Sequence, residues 1–467
     1  MLWTQTNDAL WNQGLGLLPF SAVENIYIKK TTTNEEFTFG DLEAAIWLAC
    51  TNPITTSEIC AAIRQKVPSF RHESQAKLEI MVRSSLALLI EDKLIQPLSD
   101  NSKDLSSQLN EKINCRNATE GLPPHLFTVS WNWTNACNFN CKHCYSRTEK
   151  YDSELNTDES LNAVDQLWET GVFDVHFGGG ECILRKDFLQ ILAATSARGI
   201  KTQLTSNGWH IPSIANKLKL AGLNFLNLSL DSYEPVAHDQ LRGQPGSFEK
   251  VMLAIKASKD AGLKVNVISM LHANSIGNIR KIIDLCTENF VDSVEFKVIK
   301  EAGNALVNKA CLPKPKELQS TFQELYKLKK EYSSVINVDF AHQSEPLARV
   351  ALEELGIEQT SRMPSSNGGC FCGDLSLCLK PNGDVTPCSY MTFPIGNIRT
   401  SHLFDIWAKS PFLTDLRKLK ALDDPACQSC KHLTTCKGGC IAHTLATSYE
   451  GKLSSKPDPN CWELVKQ

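Results

Sequence analysis

The stretch Cys137-Asn-Phe-Asn-Cys141-Lys-His-Cys144 places three thiols on one short piece of chain. It directly follows residues 126–133, an apolar run of aromatic and β-branched side chains that predicts a buried strand. The thiols therefore lie on a loop at the C-terminal end of that strand. Three thiolates on one loop suit an iron–sulfur cube, which normally takes four cysteines, so one iron would remain open for a small molecule. The alternative is a helix with core cysteines, which is disfavoured by three poor helix formers, Asn135, Asn138 and Asn140.

Length and composition set the broad class of the protein. The chain has 467 residues, too many for one ordinary core, which predicts roughly two to four domains. The net charge of −4 offers no basic excess for nucleic acid or an anionic membrane, so neither is an expected partner. No apolar stretch reaches the length of a bilayer span, and the first residues lack the basic region of a signal peptide. The expected location is the cytoplasm.

Cysteine usage is the unusual feature of the composition. A chain with 18 cysteines and no secretion signal indicates metal binding in preference to a disulfide framework. Half of these cysteines lie within residues 370–461. Ligand type alone leaves zinc and iron–sulfur both open there, because both centres take four thiolates.

Residues 1–98 form a small predicted module with the winged-helix-like α+β pattern. Strands are predicted at 25–30 and 93–96, and helices at 41–50, 57–67 (with Ser57 as the N-cap) and 75–91. DNA binding is disfavoured because residues 1–104 carry 9 basic and 13 acidic side chains, whereas a DNA reader needs a basic face. Residues 99–124 are polar, end in Gly-Leu-Pro-Pro, and read as a linker.

Strand-like and helix-like segments alternate from residue 125 to about 335. Strands are predicted at 126–133, 173–177, 201–206, 224–230, 264–270 and 293–299, and Asn156 with Glu159 predicts a helix N-terminus after the first of them. Six βα units predict an α/β fold with a parallel (β/α)6 barrel, complete or partial, and chemistry at the strands' C-terminal ends. The motifs fall there: the cysteine loop, Gly178-Gly-Gly-Glu181, Ser206-Asn-Gly208 and Ser229-Leu-Asp231.

A CxxxCxxC loop, a following GGE and a barrel of this kind resemble the radical S-adenosylmethionine (SAM) enzymes, whose barrel is partial. The resemblance implies that Cys137, Cys141 and Cys144 hold a [4Fe–4S] cluster whose open iron binds SAM. One electron would then cleave the sulfonium and release a 5′-deoxyadenosyl radical, which abstracts a hydrogen atom from the substrate. The cofactor carries this chemistry, while the protein orients it and excludes water.

The same resemblance implies roles for the SAM-binding residues. His143 would lie near adenine, and Gly179, Gly180 and Glu181 would receive the methionine ammonium, with glycine allowing close approach of the backbone to the ligand. Ser206 and Asn207 would contact the ribose hydroxyls, and Arg242 would bind the methionine carboxylate. Asp231 is a further expected cofactor-binding residue.

Alternatives remain open at three of these positions. His143 would otherwise be a solvent-facing loop histidine, and Asp231 with Arg242 would otherwise form a surface ion pair. Cys182 stands where proline usually follows GGE, and it is either a redox or hydrogen-donor thiol or a passive core cysteine.

Residues 336–467 contain the pattern of the seven-cysteine SPASM extension of radical enzymes. The spacing C-x2-C-x5-C-x3-C is met, and Asn382-Gly383 predicts a hairpin before Cys388. The resemblance implies two auxiliary iron–sulfur clusters, one of them held by Cys427, Cys430, Cys436 and Cys461. The other would use Cys370, Cys388 and Cys440, with Cys372 or Cys378 as a possible fourth ligand.

The first module resembles the PqqD-like recognition domains fused to peptide-modifying enzymes. This resemblance implies that a leader peptide binds residues 1–98 by adding a strand to a sheet edge, and that the linker keeps it at high effective concentration. The predicted function is therefore radical modification of a ribosomally made precursor peptide by crosslinking or epimerisation. An electron donor such as flavodoxin or ferredoxin is the other expected partner.

Other functions compete with this prediction. A maturase of a folded protein, similar to those acting on sulfatases, would share the same chemistry. An iron–sulfur regulator that binds DNA and a structural zinc protein belong to other classes.

Overall fold

The computed structural model describes most of the chain after residue 125 and short pieces before it. The longer ranges are 126–146, 149–172, 174–340, 345–357, 370–418, 424–445 and 457–464. The pieces before them are 2–5, 26–29, 36–39, 46, 54–66, 78–79, 82, 85–86 and 95–98. The chain divides into two compact units, Met1–His125 with Trp168–Phe173, and Leu126–Leu167 with Asp174–Gln467.

The described part of the first unit contains two small antiparallel sheets. Its elements are β1 (Leu2–Gln5), β2 (Ile26–Lys29), β3 (Glu36–Phe39), β4 (Ile54–Thr55), α1 (Thr56–Lys66) and β5 (Ile95–Leu98). The strands pair in the order β4-β1-β5, and β2 pairs with β3. The predicted helices at 41–50 and 75–91 lie largely outside the described residues, so the winged-helix arrangement stays a prediction.

Helix α1 begins one residue before its predicted cap. Thr55, and not Ser57, caps it: the Glu58 amide donates to Thr55 Oγ1 (3.2 Å), and the Thr55 amide donates to Glu58 Oε2 (2.8 Å). This is a reciprocal capping box, which satisfies two otherwise unpaired donors.

The second unit is organised around a ten-stranded sheet in the described residues. Seven strands run parallel in chain order: β6 (Thr128–Thr134), β7 (Asp174–Gly179), β8 (Lys201–Ser206), β9 (Phe225–Ser229), β10 (Lys264–Leu271), β11 (Ser293–Val298) and β12 (Asn337–Asp339). The parallel α/β fold is thereby confirmed, and all six predicted strands are present. The short strand β12 was not predicted.

Helices alternate with these strands, as the βα pattern requires. They are α2 (Thr157–Glu169), α3 (Phe188–Ala197), α4 (Ile211–Leu220), α5 (Pro235–Arg242), α6 (Ser247–Asp260), α7 (Ile279–Glu288) and α8 (Pro315–Glu331). The predicted cap of α2 is confirmed, because the Glu159 amide donates to Asn156 Oδ1 (2.9 Å) and the Asn156 amide donates to Glu159 Oε2 (2.8 Å).

An aromatic cluster lies between the first strands and α3. Trp131 contacts Trp133 at 5.0 Å and Phe177 at 5.6 Å between ring centroids, and Phe177 contacts Phe188 at 5.5 Å. All four side chains are buried. Such packing fixes the C-terminal end of β6, where the cysteine loop begins.

The last part of the chain returns to the same sheet. Its elements are α9 (Pro346–Glu353), β13 (Ser376–Leu379), β14 (Asp384–Thr386), β15 (Gly396–Asn397), α10 (Leu403–Lys409), α11 (Pro411–Lys418), α12 (Pro425–Gln428), α13 (Leu433–Cys436) and α14 (Ile441–Leu445). Strand β13 pairs in parallel with β6 and antiparallel with β14, and the Asn382-Gly383 hairpin is as predicted. Because β12 and β13 both follow residue 335, the barrel and the C-terminal region share one sheet. The predicted domain boundaries stay predictions.

Among the described residues, no helix combines the length and the apolarity needed to cross a bilayer.

Candidate functional site

The three cysteines of the first motif lie together on the loop that follows β6. Each is half-buried and forms no disulfide. Burial raises the pKa of Cys141 to about 11; the Arg242 guanidinium opposes this rise, and the neighbouring charges of Cys144 and Cys137 add to it. A metal that takes three thiolates would relieve this cost, since metal ligation deprotonates a thiol outright. The loop therefore fits the cluster that the sequence predicts.

Two backbone segments clamp the cysteine loop from the neighbouring strand ends. The Gly180 amide donates to Thr134 O (2.7 Å), and the Glu181 amide donates to Ala136 O (2.8 Å). A Cβ on Gly180 would lie 2.9 Å from the Ala136 carbonyl carbon. The glycine is required here because β7 packs against the loop backbone, which differs from the predicted reason of close approach to a ligand.

The second clamp comes after β11 and was missed from the sequence. The Asn304 side chain donates to Cys141 O (2.8 Å), and the Asn304 backbone amide donates to Cys144 O (2.8 Å). The preceding Gly303 has φ +54°, and a Cβ there would lie 2.7 Å from the Tyr145 carbonyl carbon. The available signal was position, because Gly303-Asn304 follows a parallel strand as the other motifs do.

Glu181 is a buried carboxyl group held by the two predicted ribose residues. Ser206 Oγ donates to Glu181 Oε1 (3.0 Å), and the Asn207 amide donates to Oε2 (2.9 Å). Burial raises the pKa of Glu181 to about 7, although these hydrogen bonds oppose the rise. The Asn207 side chain also donates to Asn138 Oδ1 (2.8 Å) in the cysteine loop. The structure thus brings Glu181 and the loop together, while ribose contact by Ser206 and Asn207 stays a prediction.

Asp231 and Arg242 form a buried ion pair beside the cysteine loop. Arg242 Nε lies 2.7 Å from Asp231 Oδ2, and the two side chains are 9% and 0% exposed, so the alternative of a surface pair is wrong. Arg242 Nη1 lies 3.9 Å from Cys141 Sγ. Burial alone would raise the pKa of Asp231, but the guanidinium holds it below its usual range. A fixed guanidinium next to a cluster ligand is suited to binding a carboxylate.

His143 is half-buried with a buried Nδ1 atom, and Cys182 is fully buried. Burial lowers the pKa of His143 to about 4, with Asp231 opposing, and its Nδ1 atom is buried without a hydrogen-bond partner among the described residues. A buried ring nitrogen without a partner favours a histidine that contacts a bound ligand over a solvent-facing loop histidine. Cys182 is fully buried and its thiol donates to Gly178 O (3.3 Å), which favours the passive core interpretation.

The C-terminal cysteines form two groups. In the first, Cys372 hydrogen bonds to Cys388, which together with burial raises the pKa of Cys372, and the charges of Cys370 and Cys440 act on it too. The backbone agrees, since the Gly373 amide donates to Pro387 O (3.2 Å). Cys378 instead directs its thiol to Leu379 O (3.8 Å). Of the two possible fourth ligands, Cys372 therefore fits better.

The second group contains the four cysteines predicted for the other auxiliary cluster. Burial raises the pKa of Cys427 to about 11 and that of Cys436 to about 12, and Cys461 adds to both rises. The charge of Cys430 acts in turn on Cys427 and Cys461. The four thiols therefore lie near one another and fit a tetrathiolate centre.

A buried cation accompanies the first group of C-terminal cysteines. Lys300 Nζ, beyond the end of β11, lies 2.6 Å from Glu345 Oε2. Burial disfavours its charge, but the neighbouring charges of Cys440 and Glu345 hold the pKa of Lys300 well above its usual range. The backbone amide of the adjacent Glu301 donates to His443 Nε2 (3.3 Å), which joins this strand end to α14, the helix directly after Cys440.

Comparison with known proteins identifies both cysteine regions. The Radical SAM superfamily matches residues 131–286. The chain carries a radical SAM domain. The SPASM iron-sulfur cluster-binding domain matches residues 370–432. The protein is thus an enzyme that binds SAM and a [4Fe–4S] cluster, with auxiliary iron–sulfur clusters in its SPASM domain, and zinc at these cysteines is the wrong alternative.

Relatives with named activities match most of the chain. The AdoMet-dependent heme synthase of Oleidesulfovibrio alaskensis is 26% identical over 343 residues, which are 72% of this chain and 88% of the relative. The mycofactocin maturase MftC of Mycolicibacterium smegmatis is 27% identical over 343 residues, 72% of this chain and 82% of the relative.

Among solved structures, Streptococcus suis SuiB is similar over almost the whole chain. The crystal structure of SuiB bound to S-adenosylmethionine gives a TM-score of 0.64 at 18% identity, covering 98% of this chain and 99% of SuiB. SuiB bound to precursor peptide SuiA gives 0.64 as well, covering 93% of this chain and 96% of SuiB. At this identity the likeness shows the fold.

Proposed function

We propose that this enzyme modifies a ribosomally synthesised precursor peptide by hydrogen abstraction, installing a crosslink or an epimerised residue. The observation that carries this proposal is the extent of the likeness to SuiB. The SAM-bound structure of SuiB covers 98% of this chain, and a second SuiB structure that also matches contains a precursor peptide. The relatives named as heme synthases or Fe-coproporphyrin III synthase match 72% of the chain or less. The part of the chain beyond that match has a counterpart in a peptide-modifying enzyme.

The first unit is the proposed site for the leader segment of that peptide. Strands β2 and β3 form a two-stranded ribbon, so each has an edge that is unpaired among the described residues. An extended peptide adds to such an edge through main-chain hydrogen bonds. The linker over residues 99–124 would then keep the bound peptide at high effective concentration near the barrel.

The residues at the mouth of the barrel have distinct parts in this proposal. Bound to its cluster, SAM supplies the 5′-deoxyadenosyl radical. Glu181 receives the methionine ammonium, with its carboxyl oxygens already positioned by Ser206 Oγ and the Asn207 amide. Arg242, held by Asp231, would bind the methionine carboxylate, and His143, whose Nδ1 is buried, would contact the adenine.

A second candidate is chemistry on an iron tetrapyrrole, since relatives named AdoMet-dependent heme synthase and Fe-coproporphyrin III synthase match the chain. We distinguish the two with anaerobically reconstituted enzyme, SAM and either a candidate precursor peptide or a haem precursor. A two-dalton loss from the peptide indicates a crosslink or desaturation, and deuterium uptake without other mass change indicates epimerisation. Turnover of the tetrapyrrole and none of any peptide would overturn the proposal.

The role of the first unit is tested by deleting residues 1–98. We expect this truncation to keep uncoupled release of 5′-deoxyadenosine but to lose peptide turnover. The Cys141→Ala variant is the matched control, because it should abolish 5′-deoxyadenosine release altogether. Peptide turnover that survives the truncation would show that leader binding does not depend on this unit.

A further inference from the structure

Three possible metal ligands that belong to neither cysteine group meet in the second unit. They are Glu354, directly after α9, His432, directly before α13, and Glu463 in the last described segment. Their ligand atoms all lie within 4.8 Å of one another. None of the three was predicted as a ligand from the sequence.

His432 is oriented as a metal-binding histidine is. Its side chain is 6% exposed, and its Nδ1 lies 3.1 Å from Glu353 Oε2, within hydrogen-bond distance. Its Nε2 is buried and has no hydrogen-bond partner in the described part of the chain. Glu354 Oε1 lies 3.6 Å from this Nε2, which is too far for a hydrogen bond. A carboxylate on one ring nitrogen and a free second nitrogen is the usual arrangement around a bound metal.

The Glu354 carboxylate is likewise held in place by surrounding donors. Trp462 Nε1 donates to Glu354 Oε1 (3.2 Å), and Gln319 Nε2 donates to Oε2 (2.6 Å). Trp462 is buried and immediately precedes Glu463, so the residue that fixes one carboxylate also fixes the chain position of the other. Two carboxylates this close repel each other unless a cation or a proton lies between them.

We propose that His432, Glu354 and Glu463 bind a divalent transition-metal ion, with Glu353 as a positioning residue for the imidazole. A neutral imidazole and two carboxylates neutralise a divalent charge. One nitrogen and two oxygen donors suit Zn²⁺, Mn²⁺ or Fe²⁺, and three protein ligands leave a position for water. This site differs from the iron–sulfur clusters because its donors are nitrogen and oxygen atoms, whereas the clusters are held by cysteine thiolates.

Such an ion would stabilise the auxiliary cluster site predicted for Cys427, Cys430, Cys436 and Cys461. His432 follows Cys430 by two positions, and Glu463 follows Cys461 by two. Cys430 and Cys461 come from parts of the chain that are far apart in sequence, and the ion would join them to the end of α9. The proposal does not depend on which substrate the enzyme modifies.

The test is Mn²⁺ binding to the full-length, cluster-loaded protein, kept anaerobic and oxidised so that its [4Fe–4S] clusters give no paramagnetic signal. The signal of free Mn²⁺ is followed by electron paramagnetic resonance during titration. We expect a single equivalent to bind, and Zn²⁺ to displace it because Zn²⁺ lies above Mn²⁺ in the affinity order. Wild-type protein that binds no Mn²⁺ would overturn the proposal.

Conservative variants assign the ligands. Glu463→Gln should weaken Mn²⁺ binding by more than about tenfold, since loss of an orienting partner alone costs about 10–100-fold. The matched control is Glu249→Gln, at an exposed position on α6, with unchanged affinity. Iron content is measured in each protein, and if Glu463→Gln lowers it, Glu353→Gln supplies the comparison with both carboxylate ligands intact. Equal Mn²⁺ affinity in variant and control at equal iron content would refute the site.

Discussion

Gly180 is the residue whose replacement most directly tests how the cysteine loop is held. In Gly180→Ala, the new Cβ would overlap Ala136 O and lie 2.9 Å from the Ala136 carbonyl carbon and 3.0 Å from that of Asn135. All of these are backbone atoms, so no side chain can rotate away. Ordinary contact begins at 3.4 Å, so the carbonyl carbon alone must retreat by about 0.5 Å (3.4 − 2.9), and its oxygen by more. Cys137 is the next residue and must move with it.

The energetic cost follows from the hydrogen bonds that this movement breaks. The bonds from the Gly180 amide to Thr134 O (2.7 Å) and from the Glu181 amide to Ala136 O (2.8 Å) cross the same contact. Loss of a buried bond costs about 1–3 kcal/mol when a partner stays unpaired, so we expect about 2–6 kcal/mol for the two bonds together. At tenfold per 1.4 kcal/mol, the loop would adopt its cluster-binding conformation roughly 30- to 20,000-fold less often.

The assay is iron content after anaerobic reconstitution, together with the SAM-dependent change in the spectrum of the reduced cluster. Gly180→Ala should lose the iron of one cubane while the auxiliary clusters still load. Gly178→Ala is the control, because a Cβ there meets nothing within 4 Å. If both variants load the same iron and respond equally to SAM, the contact between β7 and the loop does not govern cluster binding, and the reasoning fails.

Three further predictions concern charge and ligation. Because burial raises the pKa of Glu181 to about 7, SAM affinity measured by calorimetry should fall as the pH drops below that value and the carboxyl takes up a proton. The Glu181→Gln variant should bind SAM weakly with no such pH dependence. A SAM affinity of the wild-type enzyme that does not change with pH would contradict the assignment. Lys300→Met should lower the reduction potential of the auxiliary cluster predicted for Cys370, Cys388 and Cys440 by tens of millivolts, because a buried cation favours the more negative reduced state. For a one-electron couple, about 1.4 kcal/mol corresponds to roughly 59 mV. The exposed Lys309→Met variant should leave the potential unchanged in the same redox titration, and equal shifts would count against a local effect. Cys372→Ala should reduce the iron content or change the resonance spectrum of that cluster, whereas Cys378→Ala should not; the reverse result would reassign the fourth ligand.

Local pattern was sufficient to predict the strands and the cysteine loop. Apolar or β-branched residues recur through each of the six predicted strands, and each cofactor motif follows one of them. Strand β12 escaped prediction because three residues are too short to show alternation. The helix cap at Thr55 was missed because Ser57 has the same capping chemistry two positions later.

Long-range pairing and burial could not be predicted from local pattern. The pairing of β13 with β6 joins Ser376 to Thr128, which no periodicity within a single segment encodes. Whether Asp231 and Arg242 form a surface pair or a buried one depends on what packs over them, and the sequence left both open. The same limit applies to Lys300 and Glu345, whose pairing becomes visible only when two distant segments meet.

The parallel pairing of β13 with β6 has a consequence for biosynthesis. While the ribosome is still making the last quarter of the chain, one side of the first barrel strand has no hydrogen-bonding neighbour, and an open strand edge invites pairing with other chains. That edge adjoins the loop that must collect iron. A nascent chain is therefore exposed to aggregation until β13 has emerged, which makes late-stage truncations more damaging to solubility than their distance from the SAM-binding residues suggests.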